Sequence, residues 1–319
     1  MIKVAITLIG LINRIYSAIT LREKTVLCII IFLTKCEGLI MHIERWKVDS
    51  SFFDDEDYKL NNRIALENSQ NGFNELTKTT SLLTIAEIEN FLNISPDIYK
   101  TFKGNGIDIG GGDAAVSSII AKSELVSNII CLEISENTVE KWHPQIIKFI
   151  LGNDSDKVRS VIGDFDNLEL KDSTLDFAIS WDSIHHSNNP IKTLCESGRV
   201  LKPGGYFVLV DRAHNNSTSE KEIQRMLNVQ YSKEFLLENY LPEDTILTRS
   251  DNGEHEYRYK DWERFFLESK FKIEKGFMVR EKHEKNSFSN DASLDEVFVD
   301  YEVGGFERQK VVYLLKNIK

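Results

Sequence analysis

A run of glycines near the middle of the chain has the residue types and spacing to bind a ligand. Gly110-Gly111-Gly112 follows the apolar residues Ile107 and Ile109 and precedes a helical pattern. Glycines at a strand-to-helix turn let the backbone bend sharply and let a ligand approach without meeting a Cβ atom. Because the same spacing fits the fingerprint of dinucleotide-binding proteins, the glycines alone predict only a nucleotide-like ligand.

A carboxylate two residues before the glycines distinguishes between a ligand with a pyrophosphate and a ligand with positive charge. In a pyrophosphate site the loop amides face an anion, which Asp108 would repel. A ligand with an ammonium and a sulfonium group would instead be attracted. We therefore predict S-adenosylmethionine as the ligand, with an NAD-dependent oxidoreductase as the alternative. We also expect Asp108 at an exposed strand end, where its replacement would weaken ligand binding with little loss of fold.

Further acidic residues follow the next two predicted strands. Glu133 lies 21 residues beyond Gly112, where a carboxylate can accept hydrogen bonds from both hydroxyls of a ribose. The third strand ends at Asp164 and Phe165. The carboxylate of Asp164 can accept from an adenine amino group, and Phe165 offers an apolar ring face. These residues predict the nucleoside side of the site.

Histidines and charged residues follow the fourth and fifth strands. His185 and His186 are candidates for the substrate side, with His186 slightly preferred. A histidine base would help a hydroxyl acceptor, whose proton must leave, whereas an amine needs no base. His214 could also reach the cleft. We expect the charged run 251–256 to be a solvated turn.

The elements that must position these residues alternate in type. Short apolar runs separated by helical patterns predict a parallel sheet with helices on both faces. The runs are 107–109, 128–132, 158–162, 175–180 and 206–210. Two later segments, 271–279 and 310–315, alternate with a two-residue period and predict an antiparallel pair at the sheet edge. Helices are predicted from Pro190 and over 259–267, with a kink or fresh start at His143-Pro144.

Three segments fall outside this alternation. Residues 1–40 carry five basic and two acidic side chains and contain no uncharged apolar run of the roughly 18 residues that a spanning helix needs. Either translation starts at Met41, or residues 1–40 form a helix on a membrane surface, the only membrane contact we expect, or they join the fold. Residues 41–80 are predicted as a loose arm across the mouth of the site, and 215–258 as an insertion or lid. The expected domains are 1–40, an arm with cap helices over 41–104, and a catalytic domain over 105–319.

Composition excludes several classes of protein. The 319 residues carry a formal net charge of -11, which argues against a nucleic-acid partner. The four cysteines form no CxxC pair, so neither a disulfide framework nor a metal site is predicted. We expect a cytoplasmic protein with no metal; the sequence does not predict its oligomeric state.

The order and spacing of these motifs resemble the class I S-adenosylmethionine-dependent methyltransferases, in particular the small-molecule group that includes ubiquinone/menaquinone-type enzymes (methyltransferase type 11). The matching residues are 107–112, Glu133, Gly163-Asp164, 175–186 and the run from Arg199 to Gly205. The resemblance implies an α/β fold with a doubly wound, Rossmann-like, seven-stranded sheet, mostly parallel with one reversed strand, and helical N-terminal and lid additions. It also implies S-adenosylmethionine as the cofactor and a small-molecule methyl acceptor.

The resemblance further implies a role for each matching residue. Gly110, Gly111 and Gly112 would pass under the methionine part, and Asp108 would help to hold its ammonium. Glu133 would take the ribose. The adenine would contact Asp164 and Phe165, the methionine end Ser180 and Trp181, and the acceptor the catalytic candidates His185 and His186. One departure is Ala114, which stands where many members have a third glycine. A non-catalytic module that binds S-adenosylmethionine stays open as a further alternative.

Overall fold

The fold is described from a computed structural model. It describes residues 42–48, 53, 56–70, 85, 88–89, 91–92, 95–239, 241–279, 301–303 and 306–319. Residues 41–319 form a compact unit, and the predictions for residues 1–40 lie outside the described residues. In the described part of the chain, no helix combines the length and apolar character needed to span a bilayer.

One twisted sheet organises the molecule. Its strands are β1 (Ile43–Arg45), β2 (Gly104–Ile109), β3 (Val126–Glu133), β4 (Val158–Ile162), β5 (Leu175–Trp181), β6 (Leu201–Ala213), β7 (Phe271–Val279), β8 (Tyr301–Val303) and β9 (Phe306–Asn317). The spatial order is β1-β4-β3-β2-β5-β6-β9-β7, and the short β8 pairs with β9. Neighbours from β1 to β6 are parallel, whereas β9 runs antiparallel to both β6 and β7. The predicted mostly parallel sheet with one reversed strand is therefore confirmed, and β1 adds an eighth strand at one edge.

Helices cover the sheet. They are α1 (Glu56–Gln70), α2 (Pro96–Tyr99), α3 (Ala115–Ala121), α4 (His143–Leu151), α5 (Pro190–Val200), α6 (Glu220–Leu227), α7 (Lys233–Glu238) and α8 (Tyr259–Glu268). Of the kink and the fresh start predicted as alternatives at His143-Pro144, the structure favours the kink, because a π-helical turn over Thr138–Trp142 continues without a break into α4 and such turns accommodate a proline. Ile107 and Ile109 of β2 are fully buried in the main core, which also holds Trp262 of α8 and Tyr313 of β9. Burial on both faces explains why the central strands read as apolar runs.

The strand order opens a crevice at one end of the sheet. The chain adds β3 and β4 on one side of β2 and then returns to place β5 on the other side. Loops that leave the carboxyl ends of β2 and β5 consequently diverge, and open α/β sheets bind ligands at such a point.

The arm and the insertion are more regular than predicted. The prediction of a loose arm over 41–80 is wrong for the described residues, since β1 joins the sheet and α1 spans fifteen residues. Within the insertion 215–258, Leu236, Leu241 and Leu247 form a small second core that packs against Leu60 and Ile64 of α1. The arm and the insertion therefore pack together as one wall above the sheet.

Candidate functional site

The glycine loop after β2 has the conformation that its residue types suggest. Gly110 and Gly112 have φ angles of +68° and +53°, in the left-handed region that disfavours side chains. At Gly110 a Cβ atom would also lie 1.7 Å from the Oγ of Ser183, whereas at Gly112 it would meet nothing within 4 Å. Ala114 has a φ of +71°, so the position where many family members have glycine keeps the glycine-type conformation. The loop thus brings bare backbone close to the β5 loop.

Asp108 lies behind the glycine loop. The prediction of an exposed strand end is wrong, because Asp108 is fully buried beneath α3. Its Oδ2 accepts a hydrogen bond of 2.7 Å from the Oγ of Ser117, and its Oδ1 has no hydrogen-bond partner in the described residues. Burial raises the pKa of Asp108 to about 7. An unpartnered oxygen on a buried carboxyl can accept a hydrogen bond from a cation that comes to the loop.

Glu133 is held at the carboxyl end of β3 by two backbone amides. The N–H of Gly112 donates to its Oε2 at 3.1 Å, and the N–H of Ser135 donates to its Oε1 at 2.9 Å. Burial raises the pKa of Glu133. Each carboxylate oxygen can still accept another hydrogen bond, so the geometry suits the two hydroxyls of a ribose.

Of the residues predicted to contact the adenine and the methionine end, three border the cavity and one does not. Asp164 accepts a hydrogen bond of 2.8 Å from the N–H of Asp166, and Phe165 packs against the main core. Both border the same cavity as the glycine loop, as does Trp181. Ser180 is fully buried inside β5 and does not border the cavity.

A cavity of about 940 Å³ brings most of the predicted residues together. Those that line it are Gly110, Gly111, Gly112, Glu133, Asp164, Phe165, Trp181 and His186. Asp108, Ser180 and His185 lie behind its wall. The wall of α1 and the insertion supplies Tyr58, Ile64 and Leu227, so the cavity extends from the glycine loop to the elements outside the sheet.

The two candidate histidines have different surroundings. His186 lines the cavity, and its Nδ1 lies 3.1 Å from the carbonyl oxygen of Gly253. Since a carbonyl only accepts, Nδ1 carries the proton and Nε2 keeps a lone pair. Burial, together with the charge of His185, lowers the pKa of His186 to about 4. His185 is fully buried, and its Nδ1 lies 2.7 Å from a carboxylate oxygen of Asp211.

The charged run 251–256 is part of the site. Glu254 is 8 % exposed and Glu256 is 6 % exposed, so the prediction of a solvated turn is wrong for these two side chains. Glu254 pairs with Arg212 and Arg249, and it lines the cavity. Glu256 pairs with Arg249 and, at 2.6 Å, with the Nε2 of His214. His214 is 2 % exposed and does not border the cavity, so the expectation that it reaches the cleft is not met.

Asp182 completes this side of the cavity. It has a φ of +49°, and its Oδ2 lies 2.9 Å from the Nζ of Lys310 in β9. Burial alone would raise the pKa of Asp182, but the charges of Lys310 and Arg212 hold it well below its usual range. The carboxylate is therefore ionised at neutral pH.

Among the residues that the structure describes, two groups of side chains are close enough to hold a metal ion. They are His185, His186 and Glu254, and Asp182, His185 and Asp211. In both groups a carboxylate already faces a basic side chain, Arg212 in the first and Lys310 in the second. Basic side chains thus already supply positive charge beside these groups.

Sequence reasoning missed Asp182, Glu254 and the arginines behind it. Arg212 is the second residue after the predicted fifth strand, which is a usable signal for a residue at this edge of the sheet. Arg249 and Glu254 lie in a charged stretch with no periodicity. Only the packing of the insertion brings them to the loop after β5.

Comparison with known proteins agrees with this geometry. A family model described as a methyltransferase domain matches residues 107–209. A sarcosine/dimethylglycine N-methyltransferase of Aphanothece halophytica is 37% identical over 121 residues, which are 38% of this chain and 42% of the relative. A norajmaline N-methyltransferase of Rauvolfia serpentina is 33% identical over 138 residues, which are 43% of this chain and 46% of that relative. The chain thus spans less than half the length of either relative.

A solved structure supports the fold. A candidate methyltransferase from Bacillus halodurans aligns with a TM-score of 0.50 and 16% identity, over 71% of this chain and 98% of the other. The predicted family resemblance is confirmed by the match of residues 107–209, which runs from the second half of β2 through the glycine loop and β5 to most of β6. Residues 107–209 are therefore similar to a methyltransferase domain, in line with the resemblance that the motifs carry.

Proposed function

We propose that this chain binds S-adenosylmethionine at the glycine loop and transfers its methyl group to a small molecule in the same cavity. The observation that carries the proposal is the position of Asp108, a buried carboxyl with an unpartnered oxygen behind a loop of bare backbone. Glu133, held by the amides of Gly112 and Ser135 at the end of the neighbouring strand, adds the partner for a ribose.

The proposed roles follow the geometry of the loop. Gly110 and Gly112 pass under the methionine part, and Asp108 holds its ammonium directly or through water. Glu133 accepts from the ribose hydroxyls, while Asp164 and Phe165 face the adenine. The contact at the methionine end comes from Trp181 rather than from the buried Ser180.

The protein's main task in this reaction is alignment. S-adenosylmethionine supplies a methyl group on a sulfonium, a centre already activated for in-line displacement. Holding two reactants in line can contribute roughly 7–11 kcal/mol in favourable intramolecular cases. Trp181 and the wall of α1 and the insertion line the cavity in which the two reactants would be aligned. His186, with its Nε2 lone pair available, can accept a hydrogen bond from the acceptor.

Nitrogen is the acceptor atom that the relatives favour. Both curated relatives described above are named as N-methyltransferases. We propose a nitrogen acceptor for this chain also. A neutral amine needs no general base before attack, which fits a histidine whose pKa is about 4.

Two alternatives make different predictions. An NAD-dependent oxidoreductase would place a pyrophosphate at the loop, where the carboxylate of Asp108 opposes an anion. A non-catalytic module would bind S-adenosylmethionine without transferring its methyl group. The volume of the cavity, about 940 Å³, favours catalysis, because it offers space for a second molecule.

Calorimetric titration and a labelling assay test the proposal. We expect S-adenosylhomocysteine to bind and NADH not to bind, and Glu133→Gln to weaken S-adenosylhomocysteine binding by roughly 10- to 100-fold, because two charge-assisted bonds to ribose are lost. Glu136→Gln is the matched control, since the side chain of Glu136 is 40% exposed and pairs with Arg45. Methyl-labelled S-adenosylmethionine with a small-molecule extract should then yield a labelled small product. Tighter binding of NADH would overturn the proposal, and binding without transfer would favour the non-catalytic module.

A further inference from the structure

The charged side chains that face the cavity should favour acceptors of one charge over acceptors of the other. We propose that the methyl acceptor is an amine that carries no carboxylate, phosphate or other anionic group. This inference rests on the proposed methyl transfer and adds the class of its acceptor.

The lining of the cavity is acidic. Its acidic members are Asp113, Glu133, Asp164, Asp166, Asp182, Asp251 and Glu254. Among the described residues that line the cavity, none is a lysine or an arginine. Glu133 and Asp164 belong to the proposed nucleoside side. Glu254 lies beside His186, and Asp182 lies beside His185. Asp251 is two residues before Gly253, whose carbonyl oxygen contacts His186, so we assign these three acids to the side left for the acceptor.

The basic partners of these acids stand behind them. Lys310 pairs with Asp182 at 2.9 Å, and Arg212 and Arg249 pair with Glu254, yet none of the three basic residues borders the cavity. A ligand therefore meets carboxylates before it meets their counter-ions.

Asp251 adds a carboxylate without a basic counter-ion in the part of the chain that the structure describes. Its Oδ2 accepts hydrogen bonds from the N–H of Thr248 at 2.9 Å and from the hydroxyl of Thr248 at 2.6 Å. These bonds lower the pKa of Asp251, so the carboxylate is charged at neutral pH. The acceptor side as a whole consequently presents negative charge.

The negative charge on the acceptor side selects among acceptors by attraction and by repulsion. An acceptor with a carboxylate or a phosphate would bring like charges together, with no cationic partner among the described residues that line the cavity, and like-charge contacts disfavour binding. An ammonium group would instead pair with these carboxylates. The Nε2 of His186 can likewise accept a hydrogen bond from an N–H group, because its Nδ1 already donates to Gly253.

The charge balance of the reaction points to the same class of acceptor. An acceptor that arrives as an ammonium first loses one proton to water; the lone pair of the neutral amine then forms the new N–C bond, the C–S bond breaks, and its electron pair returns to sulfur. The positive charge passes from sulfur to nitrogen, and a primary or secondary amine then loses one proton to water. Carboxylates beside the nitrogen stabilise the charge that develops on it. They would destabilise an oxyanion acceptor, whose negative charge must approach them before transfer.

Three ligands of nearly equal shape test the inference. Choline is cationic, 3,3-dimethylbutan-1-ol is its uncharged isostere, and 3,3-dimethylbutanoate carries a carboxylate. We expect choline to bind the protein loaded with S-adenosylhomocysteine at least about 10-fold more tightly than the neutral alcohol, and the anion to bind more weakly than either. Asp251→Asn should reduce the preference for choline several-fold. Asp156→Asn, an exposed site outside the cavity with the same change of charge, should not change it.

The charge of the methylated product gives a second readout. Labelled product from the small-molecule extract should be retained by a cation exchanger near neutral pH. Retention on an anion exchanger, or choline binding no tighter than its isostere, would overturn the inference. Because S-adenosylhomocysteine binding is measured first, its absence would count against the proposed function, whereas its presence with an anionic product would count against the acceptor class alone.

Discussion

Asp108→Asn should weaken S-adenosylhomocysteine binding by about 100-fold, or about 2.7 kcal/mol. The carboxyl is fully buried, and one of its oxygens has no partner in the described residues. Removing one member of a buried charge pair costs roughly 2–5 kcal/mol, because the other charge is left without compensation. The measurement is calorimetric titration of both proteins with the same ligand. Ser118→Ala is a control on α3, since Ser118 is buried and its hydroxyl has no hydrogen-bond partner in the described structure.

The same substitution should remove a dependence on pH. The pKa of Asp108 is about 7 in the free protein, and an ammonium beside it would lower that value. Binding below pH 7 therefore releases a proton, so wild-type affinity rises towards about pH 7 and then levels off. An asparagine side chain cannot ionise, so the affinity of Asp108→Asn should lack this rise. Equal pH profiles for the two proteins would contradict a contact between Asp108 and the ammonium.

The free energy of unfolding should fall as the pH rises, whereas the binding affinity rises. The folded-state pKa of Asp108 lies above its ordinary value of 3.8, so its contribution is most favourable at low pH and is lost as the pH rises towards about 7. Between about pH 5 and 8 the unfolding free energy of the wild type should fall by about 2–3 kcal/mol relative to Asp108→Asn. Urea denaturation at both pH values measures this difference.

Gly110→Ala should abolish measurable S-adenosylhomocysteine binding, whereas Gly112→Ala should weaken it far less. Both glycines have positive φ angles, so each substitution costs about 1–2 kcal/mol of backbone strain. Only at Gly110 would the new Cβ also lie 1.7 Å from the Oγ and 2.8 Å from the Cβ of Ser183. The β5 loop must then move away from the glycine loop.

A double variant separates the steric effect from the backbone effect. Gly110→Ala with Ser183→Gly removes the atoms that clash but keeps the strained φ. We expect it to recover part of the binding, measured by calorimetry and compared with Ser183→Gly alone. Equal losses for Gly110→Ala and Gly112→Ala would contradict the role assigned to the contact between the two loops.

The central sheet and the nucleoside side could be predicted because their signals are local. Apolar runs mark β2 to β6, and a carboxylate at the carboxyl end of β3 identifies Glu133. Strand β1 was missed because three residues carry no alternation pattern. The exposure of Asp108 was predicted wrongly, because sequence position indicates a strand end but not that α3 covers it with Ser117.

The acceptor side could not be predicted, because its signal is not local. In the sequence, Glu254 is one member of a charged run. Only the structure shows that its carboxylate is buried and paired with Arg212 and Arg249. The contact with Arg212 joins residues 42 positions apart, and it depends on the insertion packing on α1 through Leu236 and Leu247. The hydrophobic pattern of the sequence could predict the helices of the insertion. It could not predict which strand end these helices pack against.

A crystal structure of the protein with S-adenosylhomocysteine is the most direct test. The account predicts the ribose hydroxyls within hydrogen-bond distance of Glu133, the ammonium on the side of Asp108, and the sulfur directed towards the space between Trp181 and His186. A nucleoside bound with its ribose away from Glu133, or a ligand outside this cavity, would contradict the account.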